Sequence, residues 1–226
     1  TYIAAPESCT FDPVVLQCKG KETNDCLTPQ QVAVTRTIYH GRPDTIAGGI
    51  LPGLEPGAEA GGDSWAAWGI ATEEGDVSRA TSKGFGWNHF AYLVAKDPKF
   101  DLRNLTQAEV LAGHREWGSS LNADNPDLSA FKARGGKLLS YHGWNDPAIP
   151  PGMSLEYFAS VRKQMGNTDD FYRLFMVPGM LHCRGGDAPV NVDWLALLAN
   201  WVENGEAPDA LVARGADGAT QTLNKR

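Results

Sequence analysis

Two strand-like runs joined by one amphipathic helix constrain this chain more than anything else in it. KLLSYHG, residues 137–143, is a compact run rich in large apolar residues that ends on Gly143, and FYRLFMVPG, residues 171–179, is a second that ends in a Pro-Gly turn. Between them, GMSLEYFASVRKQMG sets Leu155, Phe158, Val161 and Met165 along one helical stripe and stops at Gly166. DWLALLANWVENG then supplies a last helix closed by Gly205. Strand, helix, strand, loop, helix is the order of an α/β protein with a parallel sheet.

The first half has a different character. Residues 1–27 are irregular and hold three of the four cysteines. Thr28 begins a helix, with Pro29 in the first helical position and Gln31 three residues after the cap, and Gly41 ends it. Residues 41–64 are dense in glycine and proline, show no periodicity and read as a long surface excursion. Helical patterns follow over residues 87–96 and 106–117, the second opened by Thr106 with Glu109 three residues on. No convincing strand occurs before about residue 120. NADNP punctuates the chain near residues 122–126, so the division expected is a lid over 1–123 and an α/β portion over 124–226, where DLSAFKARGG forms a short helix closed by Gly135.

Twenty basic against twenty-seven acidic residues give a net charge of −7 with no extended basic cluster. That balance argues against nucleic acid or an anionic membrane as partner. No apolar run approaches the ~20 residues a bilayer-spanning helix needs. The chain opens on Thr1 without a charged-then-apolar leader, as expected of a mature product, one chain of a processed protein or a fragment. Cys9, Cys18, Cys26 and Cys183 are spaced poorly for zinc and better for disulfides, which places the protein in a secreted or periplasmic setting.

Functional groups in open parallel sheets gather just past the carboxyl ends of strands. Asp146 follows the first strand in HGWNDPAIPP, and His182 follows the second in PGMLHC. An aspartate then a histidine on successive strands of an α/β sheet have the chain order of the last two members of a Ser, Asp, His triad. In that role the carboxylate orients the imidazole, which takes the proton of the nucleophile. No G-x-S-x-G is present. Ser64, in Gly62-Asp63-Ser64-Trp65-Ala66, follows AEAGG and not an apolar strand, so it is a poor nucleophile by context. The expectation is therefore a chain whose nucleophilic serine lies upstream of Thr1. His142, ahead of Gly143, reads as structural, and His40, His89 and His114 show no partner pattern.

DLSAFKARGGKLLSYHGWNDPAIPPGMSLEYFASV, FYRLFMVPGMLHCRGG and LANWVENGEAPDAL together resemble the C-terminal signature of the tannase and feruloyl esterase family, and CTFDPVVLQC with CLTPQQ resembles the start of its lid. The resemblance is weakest through 42–105. It implies the C-terminal portion of an α/β-hydrolase with an inserted, mainly helical and loop-rich lid. It further implies catalytic roles for Asp146 and His182, a disulfide between Cys18 and Cys26, and a Cys183 that bridges to a cysteine beside the nucleophile.

The resemblance also implies a serine carboxylic-ester hydrolase for aryl or phenolic esters, feruloyl or galloyl among them, with no organic cofactor. Structural calcium is expected in the intact protein, its main ligands upstream of this chain. The serine is expected on a missing N-terminal segment or a companion chain, leaving this chain inactive by itself. Trp65, Trp68, Trp87 and Phe90 are candidates to stack on an aryl substrate. The alternative is a non-catalytic secreted module that binds aromatic ligands, or an inactive remnant.

Overall fold

The structure, a computed structural model, describes residues 3–44, 50–60, 64–69, 81–182 and 184–226. Helix α1, Pro29–His40, opens with both arms of a capping box: Gln31 N–H donates to Thr28 Oγ1 at 3.1 Å and Thr28 N–H to Gln31 Oε1 at 2.7 Å. Two of the donors that a helix start leaves orphaned are thereby satisfied. Strands β1, Arg42–Pro43, and β2, Ile50–Leu51, pair antiparallel within the segment expected to be an excursion without strands. A two-residue ladder is too short to leave an alternating pattern, which is why the sequence hides it.

Helix α2, Trp65–Trp68, is a single turn. Helix α3, Thr81–Asn88, starts ahead of the expected residue 87 and runs on into a wider π-type turn over His89–Val94. Helix α4, Gln107–Leu121, carries a second complete capping box between Thr106 and Glu109 and ends four residues later than expected.

The α/β portion holds α5, Ser129–Ala133, then β3, Leu138–Gly143, α6, Pro151–Met165, β4, Tyr172–Val177, and α7, Trp194–Asn204. Strands β3 and β4 pair in parallel from Leu138↔Tyr172 to Gly143↔Val177, so both release the chain at the same end. Every residue of β4 is buried. Phe158 and Val161 of α6 pack with Trp144, Phe171, Tyr172, Leu174 and Met176 on one side. Phe175 and Val177 face the other side, with Met180, Leu211 and Leu223. Both faces of β4 are therefore core, and truncating Leu174 to alanine there costs about 2–5 kcal/mol.

Strands β5, Ala210–Arg214, and β6, Thr220–Asn224, form an antiparallel hairpin in a stretch for which no strands were expected. The residues after it lie along β4: Arg226 N–H donates to the Leu174 carbonyl at 3.0 Å, and Phe175 bridges to Lys225. Lys225 Nζ reaches Asp169 at 3.1 Å and Asp209 at 2.9 Å, which pins this end to the sheet.

Cys18 and Cys26 are bonded to each other, with Cα atoms 4.9 Å apart. Cys9 is an exposed free thiol, and Cys183 lies outside the described residues. Among the described residues, no helix is long and apolar enough to cross a membrane.

Candidate active site

The loops leaving β3 and β4 are laced together before either reaches its functional side chain. Trp144 N–H donates to the Val177 carbonyl and Asn145 N–H to the Met180 carbonyl, both at 3.0 Å, while Gly179 N–H donates to Asn145 Oδ1 at 3.0 Å. Gly143 is required where the two loops meet, because a Cβ there would overlap the carbonyl of Met180. Gly179, at φ 74°, makes the left-handed turn that L side chains disfavour. Strand register and these bonds together deliver Asp146 and His182 to one point.

Asp146 is 3% exposed and fully engaged. Its Oδ1 accepts from the backbone N–H groups of Ala148 at 2.8 Å and Ile149 at 2.9 Å. Its Oδ2 lies 2.8 Å from His182 Nδ1 and 3.1 Å from His142 Nε2. Burial alone would raise the carboxyl, but the hydrogen bonds from His142, Ile149, His182 and Ala148 outweigh it and hold it below its ordinary value. Asp146 is thus an ionised acceptor, and in the neutral ring His182 Nδ1 must carry the proton. Nε2 of His182 is left with its lone pair. An imidazole fixed in that tautomer by a buried carboxylate is equipped to take a proton from a hydroxyl and return it to a leaving oxygen.

His142 is the member that sequence reasoning set aside. Its Nε2 faces two acceptors, Asp146 Oδ2 and the Ile149 carbonyl at 3.1 Å, so it is the protonated nitrogen. Its Nδ1 accepts from Ser154 Oγ at 2.7 Å. The signal that could have found it is the four-residue spacing to Asp146 across the turn after β3. Ser154, in the first turn of α6, carried no such signal.

Of the aromatic candidates, Trp68 meets His182, with ring centroids 4.9 Å apart. The exposed Phe85 stacks on Trp68 at 6.5 Å with planes 6° apart. Trp65 is buried against Tyr39, Trp87 donates its indole N–H to the Phe100 carbonyl, and Phe90 packs on His89 and Phe100. The structure brings one of the four to the histidine and engages the other three elsewhere. Among the described residues, no three His, Cys, Asp or Glu side chains are grouped to hold a metal ion.

A parallel β-strand pair flanked by helices, with an Asp–His pair beyond its carboxyl end, defines the α/β-hydrolase class of fold. The family model described as "Tannase and feruloyl esterase" matches residues 1–225, and the chain belongs to that family. It is 34% identical to a probable feruloyl esterase of Arthroderma benhamiae over 97% of this chain and 42% of that protein. It is 30% identical to a mono(2-hydroxyethyl) terephthalate hydrolase of Piscinibacter sakaiensis over 88% of this chain and 37% of that protein. The crystal structure of feruloyl esterase B from Aspergillus oryzae superposes with a TM-score of 0.84 at 24% identity, covering 99% of this chain and 48% of that one. The chain thus spans less than half the length of these relatives.

The expectations that this chain lacks its serine and is inactive by itself are overturned. The family match runs over nearly the whole chain, and the Ser154–His142 bond completes a Ser–His–Asp chain on the Asp146 carboxylate. Sequence reasoning missed it because it searched for a serine on a strand-to-helix elbow, whereas Ser154 sits inside a regular helix.

Proposed function

We propose that the protein is a serine-type hydrolase of carboxylic esters with an aryl or phenolic acyl group, in which Asp146 orients His182 and His182 is general base and then general acid. The observation that carries this is the 2.8 Å bond from His182 Nδ1 to a buried carboxylate, which leaves Nε2 available on the side chain that Trp68 adjoins. His182 Nε2 takes the proton of the serine hydroxyl as that oxygen attacks the ester carbonyl. Asp146 stabilises the imidazolium formed, which then protonates the departing alcohol. Water repeats the sequence on the acyl-enzyme, with the same histidine as base. No step changes an oxidation state, and Asp146 and His182 supply the proton transfers, so the proposed chemistry calls on no organic cofactor.

Trp68 and Phe85 present aromatic surface next to the imidazole and suit the ring of an aryl acid. The names of the relatives fit the same class: feruloyl esterases and a terephthalate monoester hydrolase. The Cys18–Cys26 disulfide supports an oxidising location, secreted or periplasmic.

The test is labelling of the protein with a fluorophosphonate probe, with and without excess methyl ferulate. Stoichiometric labelling of one serine, slowed by the ester and lost in His182→Ala, is expected. Labelling that is absent, or indifferent to His182→Ala, would contradict the proposal.

A further inference from the structure

We infer that His142 is a positioning residue for this reaction, holding the Asp146 carboxylate so that His182 keeps the orientation proton transfer requires. The inference rests on the ester-hydrolase function proposed above. Two backbone N–H groups secure Oδ1 of Asp146, and His142 shares Oδ2 with His182. A carboxylate enclosed by four donors takes its plane from the protein and not from water. Removing one donor from Oδ2 lets the group tilt, and the bond to His182 tilts with it.

His142 is itself held in place on both sides. Its Nε2 faces two acceptors and its Nδ1 faces the Ser154 hydroxyl, so each ring nitrogen has a partner. A ring with both nitrogens committed is built to hold a position.

The two imidazoles also differ in access. The side chain of His142 is 11% exposed, and that of His182 is 36% exposed and lies against Trp68. Substrate meets the accessible ring, and the enclosed ring acts through the carboxylate. Its effect therefore falls on turnover, where charge develops on His182, and not on ester binding.

The test compares His142→Gln, His142→Asn and His142→Phe in the protein, measuring kcat and KM on methyl ferulate together with thermal melts. Glutamine can place its amide nitrogen where Nε2 stands, facing Asp146. Asparagine places its own where Nδ1 stands, facing Ser154. His142→Asn and His142→Phe are expected to lower kcat about 10- to 100-fold with KM unchanged, and His142→Gln to recover most of that loss. Equal activity of the Asn and Gln variants would overturn the inference, as would a loss carried by KM. His182→Ala separates the two claims. If it leaves turnover intact, the general-base role proposed for His182 fails. If it abolishes turnover while His142→Asn is fully active, only the role of His142 fails.

Discussion

Trp68 meets the imidazole of His182 edge-on, with ring centroids 4.9 Å apart and planes at 63°. An indole so placed packs against the histidine, and under the proposed function it also forms part of the wall a substrate ring would touch. Trp68→Ala is expected to raise KM for an aryl ester about fivefold to tenfold, in line with about 1 kcal/mol for an aromatic contact. Trp87→Ala should instead leave KM alone and lower the melting temperature, because its indole is bonded to the Phe100 carbonyl. Steady-state kinetics on methyl ferulate check both, and an unchanged KM in Trp68→Ala would remove that residue from the substrate wall.

The charge on Asp146 links the site to acid stability. Its folded-state pKa lies below the unfolded value of about 3.9, so the unfolded chain binds the proton more readily. The stabilisation is fully present above about pH 5 and is lost as pH falls through 3.9 toward the lower folded value. Melting temperatures measured between pH 6 and pH 3 should fall more steeply for the unmodified protein than for Asp146→Asn, which cannot take up that proton. Parallel curves would mean that the carboxylate gains nothing from its four donors.

The Cys18–Cys26 bridge closes a loop with a sequence separation of 8 beside the start of α1. On the loop-entropy account, such a closure stabilises the fold by about 2–3 kcal/mol. Urea denaturation of a Cys18→Ala/Cys26→Ala double variant should show a loss of that size with an unchanged slope. A loss below about 0.5 kcal/mol would show that the unfolded loop is already restrained without the bond.

What the sequence made legible follows from how local each signal is. The runs around Leu139 and Leu174 and the stripe from Leu155 to Met165 are continuous, so β3, α6 and β4 could be read directly, as could the caps at Thr28 and Thr106. Asp146 and His182 could be read because each follows its strand at once. The hairpin of β5 and β6 was missed, although Leu211, Ala213 and Leu223 point inward, because each strand is five residues long and neither Ala-Leu-Val-Ala-Arg nor Thr-Gln-Thr-Leu-Asn alternates apolar with polar residues. Ser154 and His142 are twelve residues apart and meet only because the loop after β3 folds the start of α6 back toward the strand end. Nothing local separates Trp68 from Trp65: both lie on one helical turn, and only tertiary packing decides which reaches His182.

If His182, held by Asp146, carries the proton for serine-type ester hydrolysis, its removal must show in the kcat of His182→Ala on methyl ferulate. A fall of about 10³- to 10⁵-fold is expected, with KM within a few-fold and the fold intact by circular dichroism. Turnover within about tenfold of the unmodified protein would contradict it.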